Sequence, residues 1–204
     1  VAQAYGARKF DKMNKYAGNS ITLAFVIGMV IMIVAHFLSR PLLKAIDTPD
    51  DIIDMSAQYI DVLYYAVPIQ MSLNNFNALS RAVGDSKRPL YFLIVSVIVN
   101  LLLDILFVGA FKWGVIGAAW ATAISELVAA VLSAISVLKH TEEYNIDKTA
   151  LKIDGKVSWA QIKIGIPISL QFSITSIGSM VLQTAVNGFG SSVIAGFTAA
   201  GRGE

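Results

Sequence analysis

Two long apolar stretches, each interrupted by a single acid, limit what this chain can fold into. From Pro89 to Phe111 the only charge in 23 residues is Asp104, and from Trp113 to Leu138 the only charge in 26 is Glu126. Each stretch exceeds the roughly 20 apolar residues that cover the hydrocarbon core of a bilayer as a helix. The two fold back on each other around Lys112-Trp113-Gly114. Charged residues are 15% of the chain, against about 25% in ordinary soluble domains. The fold class expected is therefore all-α, a polytopic membrane protein with five full transmembrane helices and the start of another.

If the pair is antiparallel about an apex at Trp113, residues equidistant from the apex share a depth. Asp104 lies nine positions before it and Thr122 nine after, while Asn100 lies thirteen before and Glu126 thirteen after. Asn100 and Asp104 are four residues apart, as are Thr122 and Glu126, so each pair shares a helix face. One compact polar site can thus use all four groups. A charge at bilayer depth costs about 2.5 to 3.5 kcal/mol even on insertion scales, so intramembrane acids face a bundle interior or a watery cavity. The competing reading is a structural acid, permanently protonated or hydrogen-bonded between the two helices.

Three further helices accompany this pair. Helix A is expected from Ala17 to Leu38 inside 24 residues without a formal charge, helix B from Ala57 to Leu79, and helix E from Ile162 to Val186. Gly84 suits a helix C-cap, Asp85-Ser86 a turn and Pro89 the first turn of the next helix. Helix B carries Gln70, Asn74 and Asn77 at helical spacing, and helix E repeats Gln171, Thr175, Ser179 and Gln183 every fourth residue. These stripes are read as the lining of a substrate cavity, weighed against simple interhelical hydrogen bonding. Lys and Arg number twelve across residues 1–17, 81–89 and 139–163 and three across the alternate loops, which puts the first set in the cytoplasm. Asp104 then lies roughly 12 to 14 Å from the outer apex.

A net charge of +2 and the lack of a basic block argue against nucleic acid as a partner. No cysteine is present, which excludes disulfides and thiolate sites. His36 and His140 stand apart from any metal-ligand spacing. No phosphate-binding glycine loop and no nucleophile with a base appears, so the chain is not expected to be an enzyme. Val1 and the short apolar segment 193–200 are read as the cut ends of a longer protein.

Ser80-Arg81-Ala82-Val83-Gly84-Asp85-Ser86-Lys87-Arg88-Pro89, Asn100-Leu101-Leu102-Leu103-Asp104, Trp113-Gly114-Val115-Ile116-Gly117-Ala118-Ala119 and Ala121-Thr122-Ala123-Ile124-Ser125 resemble, in order and spacing, the multidrug and toxic compound extrusion (MATE) transporters. Gly165-Ile166-Pro167 and Val186-Asn187-Gly188-Phe189-Gly190 look like the family's seventh helix. The resemblance implies a partial MATE-like bundle of the prokaryotic branch, helix three to part of helix eight. Residues 1–138 would supply N-lobe helices, 139–160 the cytoplasmic link, and 161–204 the start of the C-lobe. It further implies a multi-pass protein of the plasma membrane, monomeric at full length, that exports drugs or toxic organic compounds by alternating access. Exchange would be for Na+ or H+, with no other cofactor. By motif, Asn100, Asp104 and Thr122 carry over as a cation site able to ligate Na+; Glu126, which departs from a common Gln, is grouped with them as a coupling residue, adding a protonation step or else only bonding a neighbouring helix. A lipid-linked oligosaccharide flippase of the related superfamily and a non-transporting scaffold are the alternative functions.

Overall fold

The computed structural model describes residues 1–45, 53–139, 146 and 150–187, and the side chains of all of these except 45 and 183–187. The described elements are helices: α1 (Ala2–Gly6), α2 (Phe10–Ala45), α3 (Ile53–Ala82), α4 (Lys87–Asp104) running unbroken into a π-helix (Ile105–Ala110), α5 (Gly114–Lys139) and α6 (Gly155–Asn187). Asp47, Asp50, Asp51, His140, the side chain of Gln183 and the terminal segment 188–204 lie outside the described residues. The chain divides into two compact units, Val1–Ser158 and Trp159–Glu204.

The helices overrun the bounds expected from hydropathy, except at the apex of the hairpin, where the π-helix stops at Ala110 and α5 begins at Gly114. Charge patterning marks where a helix leaves the apolar core, but nothing there ends the backbone hydrogen bonding, so α2 takes in Lys12 and Lys15 at one end and Pro41 at the other. Real stops appear where the backbone turns left-handed. Gly84 ends α3 with φ 89°, and Asp85 Oδ1 then accepts the amides of Lys87 and Arg88 at 3.1 Å each, opening α4. At the opposite end Lys112 and Gly114 adopt φ 56° and 58° between the π-helix and α5.

Within the first unit α2 packs on α3, α3 on α5, and α5 on α4. The two central helices reach this arrangement differently. α5 buries a face of small residues, Gly117, Ala121, Ser125, Ala129 and Ser133 among them, which lets neighbouring backbones approach. α3 instead satisfies polar side chains across both its neighbours. Asn75 accepts from Ser20 at 3.4 Å and Asp61 pairs with His36 at 3.2 Å on the α2 side, while Asn77 accepts from Ser133 at 3.2 Å on the α5 side. α2, α4 with its π extension, α5 and α6 are long and apolar enough to cross a membrane. α3 has the length, but its amides and carboxylates place it inside the bundle. The flanking helices carry the lipid-facing residues, such as Val30 and Phe37 on α2 and Ile98 and Leu101 on α4, all more than half exposed.

Residues 150–158, ending the polar connection and beginning α6, belong to the first unit. Asp154 Oδ1 accepts the amides of Lys156 and Val157, and its Oδ2 pairs with Lys15 Nζ at 2.7 Å. The Lys15 ammonium first, then the two amides, hold the Asp154 carboxyl below the ordinary aspartate range. A lowered folded value means that the contribution is fully present above the unfolded value, near 3.9, and is lost as pH falls through the folded one. The contact should thus be unaffected between about pH 5 and 8. Fluorescence from a probe on the exposed Lys152 should be flat over that range and change only in stronger acid; a transition near neutrality would contradict the assignment.

Candidate functional site

The α4–α5 hairpin builds the site. Ser96, Asn100 and Asp104 recur every fourth residue on one face of α4, and Thr122, Ser125 and Glu126 answer from α5. Ser96 Oγ donates to the Ser125 carbonyl at 3.0 Å, which ties the helices together below the site. Asn100 Nδ2 lies 3.5 Å from Thr122 Oγ1, and Thr122 donates its own proton to the Ala118 carbonyl at 3.1 Å. Gln70 of α3 donates to Glu126 Oε1 at 3.2 Å. These groups border a cavity of ≈ 240 Å³ whose polar wall is Asn77, Ser96, Asn100, Thr122, Ser125 and Glu126, and whose apolar wall includes Leu73, Phe92, Leu93 and Val97.

Asp104 is placed differently from the other three groups. It is the last residue of α4, absent from the wall of this cavity, and its Oδ1 is buried without a hydrogen-bond partner. Equal spacing from the apex pairs Asp104 with Thr122, whereas the structure sets Asn100 against Thr122. The cause is the π-helix that starts at Ile105. Its amides reach further back than in an α-helix: Phe111 N–H bonds Leu106 O and Trp113 N–H bonds Phe107 O, both at 2.9 Å. A wider turn rises less per residue, so Asn100 sits closer to the apex than a uniform α count allows. Phe107 and Trp113 stack at 4.9 Å between ring centroids and cover that end of the hairpin.

Of the remaining sequence candidates, Asn77 lines the cavity and Gln70 reaches it through Glu126, while Asn74 is exposed and outside the lining. On α6, described by itself, Gln171, Thr175 and Ser179 are exposed, and the hydroxyls of Thr175 and Ser179 donate to the carbonyls of Gln171 and Thr175, both at 3.0 Å. Ser96, Ser125 and Phe92 are part of the cavity without having been singled out by sequence. For Ser96 the signal was there, since Ser96-Asn100-Asp104 extends the four-residue stripe by one turn. Among the described residues no three His, Cys, Asp or Glu side chains cluster as a metal site.

Comparison with known proteins converges on one family. The MatE family model matches residues 1–106. Probable multidrug resistance protein YoeA of Bacillus subtilis is 30% identical over 204 residues, covering 97% of this chain and 44% of its own length. Multidrug export protein MepA of Staphylococcus aureus is 23% identical over 197 residues, with 97% of this chain and 44% of its own covered. A solved outward-facing multidrug resistance MATE family transporter, 25% identical, superposes with a TM-score of 0.88 over 98% of this chain and 45% of its own. The chain thus spans less than half the length of the relatives it matches. With a MatE match over half its residues and several helices long and apolar enough to cross a membrane, the chain belongs to the MatE family, as part of a multi-pass protein of the plasma membrane.

Proposed function

We propose that the protein carrying this chain works as a monomeric secondary transporter, and not as an enzyme, that exports drugs and other small organic compounds in exchange for Na+ or H+. The family and the names of the relatives support the cargo class. The observation that carries the coupling role is the buried, unpartnered Oδ1 of Asp104. A carboxylate oxygen deprived of both water and donors has an open valence that a proton or a small cation fills. Asn100, one helical turn before Asp104, and Thr122, which is bonded to Asn100, suit either ion. Asn100 spends its amide N–H on Thr122, and Thr122 spends its proton on Ala118, so the Asn100 carbonyl and the Thr122 oxygen keep lone pairs for a hard cation. Binding at Asp104 removes a charge from the bundle interior and shifts the balance between inward-open and outward-open states, which exchanges ion for cargo.

The wall of the cavity carries Glu126 and neither Lys nor Arg. That polarity favours cationic or neutral cargo over a lipid-linked phosphate. Glu126 is held by Gln70 and lines the cavity, whereas Asp104 does neither, so the two acids should separate functionally. Glu126→Gln is expected to keep gradient-driven efflux while weakening cationic dyes about 5- to 10-fold relative to neutral ones, the loss of one partly solvated charge contact. Equal effects on cationic and neutral cargo would contradict that division. The decisive assay is efflux of ethidium from proteoliposomes under an imposed Na+ or pH gradient, with Asp104→Asn as the probe.

A further inference from the structure

Away from the cavity, the first unit contains a second buried polar assembly that the proposed exchange does not use. Lys15, Gly18, Asn19 and Thr22 are spaced at i, i+3, i+4 and i+7, one face at the cytoplasmic end of α2. All four meet the segment 150–158. Asn19 is fully buried; its Nδ2 donates to Ser158 Oγ at 3.0 Å, and its Oδ1 accepts from Ser158 Oγ at 3.2 Å and from the Asp154 amide at 2.9 Å. Thr22 Oγ1 donates to the Leu151 carbonyl at 2.7 Å, and Lys15 holds Asp154. A Cβ on Gly18 would overlap the carbonyl of Ala150, so the connection lies directly on the α2 backbone. Opening these contacts would strand a buried amide and a buried hydroxyl without partners.

α6 starts inside this assembly and continues past Ser158 into the second unit. We infer that Asn19 is a positioning residue for transport: it clasps the first turn of α6 to α2, the clasp stays closed through the cycle, and any movement between units pivots in α6 beyond Ser158. The inference rests on the transporter reading for its cycle, but the clasp itself does not. A helix fixed at one end by a satisfied buried network bends only beyond it, and Pro167, which removes a backbone donor inside α6, lies past that point.

The test uses the full-length protein that carries this chain. Lys15→Cys and Asp154→Cys, both on partly exposed side chains, are bridged with a short bis-methanethiosulfonate reagent. Bridged protein should export ethidium within about twofold of the unbridged double variant, as fixing a contact that never opens removes no needed motion. Arrest on bridging, reversed by reductant, would overturn the inference. Spin labels at Lys12→Cys and Lys152→Cys supply a readout independent of transport: one narrow distance distribution, unchanged by ethidium, Na+ or a shift to pH 5.5, is expected. A ligand-dependent distance refutes the closed clasp even if wild-type protein exports nothing. Asn19→Ala should broaden that distribution and lower efflux per folded molecule about 5- to 10-fold with ethidium affinity unchanged, the pattern of a displaced hinge. A purely structural Asn19 would lower the yield of folded protein and leave the rate per molecule at wild type, which also refutes the inference.

Discussion

Asp104→Asn is expected to abolish ion-driven export while leaving the protein inserted in the membrane. Asparagine keeps the size and planarity of the side chain, so helix packing around α4 is retained, but it neither takes up a proton nor offers a full negative charge to Na+. Insertion should be slightly easier, since a charge at bilayer depth opposes it by about 2.5 to 3.5 kcal/mol. Export depends on the ion binding one conformation better than the other, and a site without differential affinity shifts nothing. Gradient-driven ethidium efflux should therefore fall by about 100-fold or more, to that of protein-free vesicles, with unchanged protein per vesicle. Imposing Na+ and pH gradients separately on wild type identifies which ion Asp104 uses. Efflux at the wild-type rate in the variant would remove Asp104 from the mechanism.

The unpartnered oxygen that motivates this experiment was only half visible in the sequence. Asp104, Asn100, Thr122 and Glu126 stood out because a charge or amide inside an apolar run has few reasons to be there, and spacing alone assigned them to facing sides of one hairpin. Their level assignment rested on a uniform rise per residue, and the π-helix over Ile105–Ala110 broke that assumption. Nothing in Ile-Leu-Phe-Val-Gly-Ala announces the wider turn, which depends on how the hairpin end packs Phe107, Phe111 and Trp113 together. Helix existence was equally legible, while helix ends were not, because hydropathy reports the membrane core and caps report the backbone. The contacts least accessible to sequence were those joining distant segments. Nothing in the sequence marks Asn19, whose partners Asp154 and Ser158 lie more than 130 residues later.

Gly28→Leu is expected to destabilise the bundle although it makes α2 more hydrophobic. Between helices in lipid the water-driven gain on burying apolar surface is lost, so close backbone contact and a few hydrogen bonds hold them together. Gly28 is such a contact: a Cβ there would stand 2.7 Å from the Cα of Pro68 and 3.3 Å from its nitrogen, backbone atoms of α3 with no rotamer to move. Pro68 lies within α3, and its ring fills the space that the missing side chain leaves. A leucine must push α2 and α3 apart, stretching Ser20–Asn75 and His36–Asp61 on either side of the contact. Overpacking of this kind costs about 1 to 3 kcal/mol, so the unfolding midpoint in detergent should drop by roughly 5 to 10 °C. Gly109→Leu is the matched control, because nothing lies within 4 Å of a Cβ there, and its midpoint should stay near that of the parent protein. Hydropathy alone ranks the two substitutions as equal; close approach of the backbones separates them. Equal midpoints for both variants would show that α2 does not rest on α3 at this point, and with that the order α2, α3, α5, α4 that positions the cavity would have to be redrawn.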